Sequence, residues 1–150
     1  LMGLAHSALG QETLAVQAYL QAIKLKISDP GVYYNLGLSL VKLNRLPEAV
    51  AAFEACIARK ADADAYVNRG NVKQEKGDLP CAIADCDRAI DLQPGLPAAY
   101  VVRGLAKRAG RDLEGAAADF EAALRIAPAD WPPRARVNQW LRQIRKATDK

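Results

Sequence analysis

The chain has 150 residues, 51% of them hydrophobic but only 6% aromatic, and a formal net charge of +4. That length suits one domain able to bury roughly two thirds of its unfolded surface, and an apolar fraction made mostly of Ala and Leu favours helices throughout. No run of about 18 uncharged apolar residues is present, and no basic stretch followed by apolar residues opens the chain, so these residues read neither as a spanning helix nor as a signal peptide.

Glycine and proline punctuation predicts nine helices, at roughly 1–9, 12–27, 31–43, 46–60, 63–76, 79–92, 97–109, 113–126 and 131–147. Leu9-Gly10, Asn44 to Pro47, Gly77-Asp78 and Gly110 to Asp112 separate a first helix from a second, with the glycines expected as helix stops. Asp29-Pro30-Gly31, Gln93-Pro94-Gly95 and Pro128-Ala129-Asp130 end the second helices, because proline biases the residue before it out of the α region. Leu1 stands where an initiator Met would, and the first unit lacks the start of its first helix, which suggests a piece of a longer polypeptide. In the last helix Asp130 is the expected N-cap, with Pro132 and Pro133 in the first turn. Val137, Trp140, Leu141 and Ile144 share one side of it, as a terminal cap requires.

The strongest signal is an internal repeat. Gly3, Gly37, Gly70 and Gly104 are separated by 34, 33 and 34 residues, and Ala15, Ala49, Ala82 and Ala116 keep the same intervals. So do a bulky slot (Tyr19, Phe53, Cys86, Phe120) and a small slot three residues later (Ala22, Cys56, Ala89, Ala123). A helical Gly costs about 0.5–1 kcal/mol relative to Ala, so four in register need an offsetting reason. Close approach of two antiparallel helices, with Ala positions such as Ala49 and Ala82 facing the glycines, supplies one.

These residues resemble the tetratricopeptide repeat. The stretches are Tyr33, Leu36, Gly37, Ala49 and Phe53; Tyr66, Gly70, Ala82 and Pro94; and Tyr100, Gly104, Ala116, Phe120 and Pro128. The pattern departs at Ala61, where Pro is usual, and at Cys86, in an aromatic slot. The resemblance implies an all-α superhelical array of antiparallel helix pairs in a single domain, with repeats at about 1–29, 30–62, 63–96 and 97–130 and a capping helix over 131–150. It also implies a concave groove for a peptide or helix of another protein. On the predicted helix 31–43, Tyr34, Leu38 and Val41 form an apolar stripe rotated about 100° from the core stripe. The resemblance puts that stripe in the groove, with Leu4, Ser7, Val67, Asn68, Asn71, Gln74, Val101, Leu105 and Arg108. Relatives that grip a chaperone's C-terminal carboxylate use paired Lys, Asn and Arg there. Here only Asn68 matches, with Tyr34, Leu38, Ala98 and Val102 in the other slots.

Other functions are less well supported. Residues 131–150 carry Arg134, Arg136, Arg142, Arg145, Lys146 and Lys150 against Asp149, so the net positive charge is local to the C-terminus. Such a face can meet nucleic acid or anionic lipid, but Trp140 belongs to the apolar side and no aromatics are interleaved on the basic face for base stacking, which favours a soluble outer face. Self-association through an incompletely covered N-terminal edge bearing Met2, Leu4 and Leu9 is a further alternative. Cys56, Cys81 and Cys86 form no CxxC pair and are expected in small core sites, and His6 is the only histidine. The reading is therefore no catalytic residues, metal or cofactor, with Asp85, Asp87 and Asp91 on a solvated face. The cysteines lean towards a cytoplasmic setting.

Overall fold

Four helices stop just before a left-handed residue, at Lys26, Asn44, Gly77 and Arg111, and three stop where Lys60, Gln93 or Ala127 leaves the helical region. The computed structural model describes residues 2–149, with side chains from residue 8 onward. Among the described residues there are eight helices and no strand: α1 (Met2–Lys24), α2 (Pro30–Lys42), α3 (Leu46–Arg59), α4 (Ala63–Glu75), α5 (Leu79–Leu92), α6 (Pro97–Ala109), α7 (Leu113–Ile126) and α8 (Arg134–Thr148). Packing is densest within the pairs α2–α3, α4–α5 and α6–α7, which stack in chain order.

Four of the turns share one geometry. Lys26, Asn44, Gly77 and Arg111 have φ of 64°, 58°, 86° and 67°. The amide after each reaches back five residues, as from Arg45 to Leu40 (2.8 Å) and from Asp112 to Lys107 (2.9 Å), which satisfies carbonyls that a helix end leaves bare. Asp29, Asp62 and Asp112 then cap α2, α4 and α7 by accepting backbone amides in the next turn.

Three expectations need correcting. Leu9-Gly10 does not break the chain: the two helices expected at 1–9 and 12–27 are the single helix α1. The Thr13 hydroxyl donates to the Leu9 carbonyl at 2.9 Å, bridging the glycine, and the proline that follows two of the other three turns (Pro47, Pro80) has Thr13 as its counterpart. Gly110 is not the left-handed residue of its turn. Its φ is −82°, and Arg111 takes that role because Asp112 must sit where it caps Gly115. The last helix starts at Arg134, not near Trp131. Residues 128–134 form two successive turns, closed by the Trp131 amide on the Pro128 carbonyl and the Arg134 amide on the Trp131 carbonyl, and Asp130 caps nothing.

The core explains the glycines, with Ala82 facing Gly70 as expected but an aromatic ring in place of the expected alanine at Gly37 and Gly104. A methyl group on Gly37 would lie 2.5 Å from the Phe53 ring, and one on Gly104 would lie 2.7 Å from Phe120. At Gly70 the nearest atoms are the Ala82 carbonyl oxygen at 3.2 Å, Asp85 Cβ at 3.3 Å and Cys86 Sγ at 3.4 Å, the looser fit of a smaller residue in the aromatic slot. Ala49, Phe53, Ala82, Cys86, Ala116 and Phe120 are all completely buried. Burial pushes the Cys86 thiol up to about 12, so it stays protonated. Cys81, by contrast, is exposed in the first turn of α5 rather than in a core site.

Asp85 is likewise not on a solvated face. It is buried, accepting from Arg69 Nε (2.9 Å) and Nη2 (2.6 Å) with Lys73 Nζ at 3.2 Å. One repeat later Asp119 is buried beneath Arg103 and Lys107 in the same arrangement, and Arg103 also reaches the exposed Asp87. These bonds, above all those to Asp119, raise the Arg103 guanidinium beyond its usual range. In the preceding pair the corresponding positions are Leu36, Leu40 and Ala52, all buried and apolar.

Two results are expected in thermal or denaturant unfolding. Gly37→Ala lowers stability by about 1–3 kcal/mol through overpacking against Phe53, more than its gain in helix propensity of about 0.5–1 kcal/mol can offset. Gly70→Ala costs less. Asp85→Ala alone costs about 3 kcal/mol because two cations lose their counter-charge, whereas Arg69→Leu, Lys73→Leu and Asp85→Ala together restore most of the loss. A triple variant no more stable than the single would show that the α2–α3 solution does not transfer.

Candidate functional site

The first helices of successive pairs, α2, α4 and α6, lie side by side and make one wall of the array. On α2, Tyr34, Leu38 and Val41 are half-buried against the α1–α3 core. The Tyr34 ring meets Phe53 edge-on, centroids 6.1 Å apart. Its hydroxyl accepts from Asn68 Nδ2 at 3.1 Å, and Asn68 also donates to the Asp64 carbonyl at 2.9 Å. Burial, and then the nearby Asp64 carboxylate, push the Tyr34 phenol above its ordinary value. Tyr34 is therefore a neutral hydrogen-bonding group fixed in orientation by α4.

Along α4, Asn71 and Gln74 are half-buried beside Asn68, whereas Val67 is buried in a cluster with Cys86, Ala89, Ala99 and Val102. On α6, Val101 and Leu105 pack against the cluster that includes Val137, Leu141 and Ile144 of α8. The Arg108 guanidinium lies 5.0 Å from the Trp140 ring centroid. The structure thus joins Tyr34 of α2 to Asn68 of α4, leaves Leu38, Val41, Asn71 and Gln74 half-buried on the same two helices, and places Val101, Leu105 and Arg108 of α6 beside α8. The side chains of Leu4 and Ser7 lie outside the described residues.

The basic residues of α8 separate into two groups. Arg134 turns inward, its Nη2 donating to the carbonyls of Leu124 (3.1 Å), Ala127 (2.7 Å) and Pro128 (3.1 Å) at the end of α7. Those carbonyls carry the negative end of the helix dipole, so the guanidinium acts as a cap. Arg145 reaches Glu121 at 3.2 Å. Arg136 and Arg142 line an open 650 Å³ depression with Pro132, Pro133 and Gln139, and Lys146 lines a 310 Å³ depression beside it.

Sequence reasoning missed the contact of α6 with α8, although apolar stripes on both segments were visible. It also missed the two buried ion-pair clusters. Their signal was the recurrence of Arg69, Lys73 and Asp85 as Arg103, Lys107 and Asp119, each 34 residues on. Among the described residues, no three His, Cys, Asp or Glu side chains group as metal ligands, and no helix is long and apolar enough to cross a membrane.

Solved structures with the same fold include MamA, with a TM-score of 0.84 at 20% identity over 93% of this chain and 80% of that one. The first TPR of Spaghetti (RPAP3) bound to the HSP90 peptide SRMEEVD superposes with a TM-score of 0.75 at 24% identity, covering 81% and 94% of the two chains. The TPR2B domain of yeast Sti1, in a complex described as pHsp70, gives 0.70 at 25% identity, covering 74% and 91%. Comparison with curated proteins gives no match. A TPR repeat family model matches residues 3–44, and a tetratricopeptide repeat model matches residues 34–97 and 67–130. With its paired helices and its glycine-to-aromatic packing, the chain belongs to the tetratricopeptide repeat family.

Proposed function

We propose that this chain is a protein-interaction scaffold that takes a peptide or helix of a partner along the wall formed by α2, α4 and α6. The observation that carries the reading is the patch made by Tyr34, Leu38 and Val41 on α2 with Asn68, Asn71 and Gln74 on α4. Its half-buried apolar groups can hold a side-chain anchor, and its amides can pair with a peptide backbone. Structures of similar fold bound to peptide or protein partners support a binding role for such an array. The outer face of α8 is a weaker candidate for nucleic acid. Arg134 and Arg145 are engaged within the fold, and both tryptophans of the segment pack against the core instead of offering stacking surfaces.

The chemistry of the patch also restricts the partner. A C-terminal carboxylate leaving water needs a cation in return, and Tyr34, Leu38, Ala98 and Val102 stand where chaperone-tail binders place theirs. The favoured guest is therefore a segment with apolar anchors.

In isothermal titration the SRMEEVD peptide is expected to bind no tighter than about 1 mM, some −4 kcal/mol; a micromolar constant refutes the restriction. Peptides selected against the chain from a display library should lose at least about tenfold in affinity on Leu38→Glu, or about 1.4 kcal/mol, with the thermal midpoint unchanged. Full affinity in that variant would place the guest elsewhere.

A further inference from the structure

Where α2 meets α4, two side chains present one hydrogen-bond donor and one acceptor side by side. The Asp64 carbonyl can only accept, so the Asn68 Nδ2 that donates to it at 2.9 Å fixes which end of the amide faces inward. The second Nδ2 hydrogen goes to the Tyr34 hydroxyl oxygen at 3.1 Å. Both amide hydrogens are thus spent within the chain, and Asn68 turns its carbonyl oxygen, Oδ1, outward. Among the described residues nothing donates to that atom, and the one buried side-chain polar atom without a partner is Arg134 Nε, so Oδ1 reaches solvent.

Tyr34 takes the complementary part. Its oxygen accepts from Asn68, and its own O–H hydrogen has no acceptor among the described residues. Burial, and then the nearby Asp64 carboxylate, hold the phenol above its ordinary value, so that hydrogen is present at neutral pH. The edge contact of the ring with Phe53 fixes where the hydroxyl stands.

Three kinds of guest meet this pair differently. A C-terminal carboxylate has acceptors and no donor, so it would leave Oδ1 unpaired while approaching the Asp64 and Asp62 carboxylates. The interior of a helix has already spent its amide hydrogens on its own carbonyls. In an extended segment the N–H and C=O of one residue are both free and point to the same side, as in the paired bonds that antiparallel strands exchange. Such an N–H fits Oδ1, and the C=O beside it fits the Tyr34 hydroxyl. Leu38 follows one turn along α2, about 6 Å away by helical rise. A segment lying along α2 brings an apolar side chain two residues on, at about 7 Å, to that leucine.

We infer that Tyr34 and Asn68 together bind one internal, uncharged backbone unit of an extended segment, the Tyr34 hydroxyl donating to its carbonyl and Asn68 Oδ1 accepting from its amide. This assignment rests on the groove proposed above and narrows its guest from a peptide or helix to an extended peptide.

Backbone methylation tests the pair on the full 150-residue chain. The probes are display-selected peptides that lose affinity on Leu38→Glu, each resynthesised with a single N-methyl group at successive positions. At one internal position methylation is expected to cost at least about tenfold in affinity on the unaltered chain, and less than about twofold on Asn68→Ala, where the acceptor is already gone. Tyr34→Phe keeps the ring on Phe53 and should weaken the unmethylated peptide about five- to tenfold, with the circular dichroism spectrum of the chain unchanged. Methylation costs that are the same on both chains at every position overturn the assignment and leave the groove standing. So does a gain of peptide helix on binding. Selected peptides indifferent to Leu38→Glu would instead remove the groove itself, and the assignment with it.

Discussion

The structure depends on how closely two helices approach at a glycine. Where Gly37 faces Phe53, and Gly104 faces Phe120, an aromatic ring occupies the volume that any side chain would need. Removing that side chain costs helix propensity, about 0.5–1 kcal/mol, but it lets a large ring be buried completely. Burying a residue of that size stabilises by roughly 1.5–3 kcal/mol. The balance favours the glycine only when the ring arrives at the right register. The same requirement fixes the length of the turn, the left-handed residue within it and the 16-residue spacing between the partners.

Electrostatics divides the array. In the α4–α5 and α6–α7 pairs a buried aspartate sits beneath an arginine and a lysine, while the α2–α3 pair fills the equivalent space with Leu36, Leu40 and Ala52. Buried charge is costly unless its partners are well placed, and the forked bonds from Arg69 and Arg103 provide that placement. Charged pairs tolerate only one alignment of the two helices, whereas leucines tolerate several. The C-terminal pairs are therefore held in a narrower geometry.

The ends follow the same physics. Every second helix has one flank that a preceding first helix must cover and one that a following pair must cover. At the C-terminus α8 meets that need with Val137, Leu141 and Ile144 and turns its cations outward. At the N-terminus α1 runs straight through the position where the other units turn, so its Ala15, Tyr19 and Ala22 face is only partly covered.

Much of this was legible in the residues themselves. Four markers at 33- or 34-residue intervals set the helix pairs and the family resemblance, because each repeat must bury the same contact. Proline and aspartate placed most helix ends to within a few residues, since their effects are local. What the local signals could not decide was whether a glycine turns the chain. Gly10 occupies the turn slot and stays helical, while Arg111 turns with the glycine one residue away. A left-handed residue costs only about 1–2 kcal/mol, less than the packing and capping that a completed hairpin supplies. The choice thus belongs to the tertiary contacts. For the same reason Asp85 looked like a surface carboxylate, and the packing of Val101 and Leu105 beside the last helix was not visible. Their surroundings are supplied by Arg69, Lys73 and α8, which lie distant in the chain and are brought close only when the helices stack.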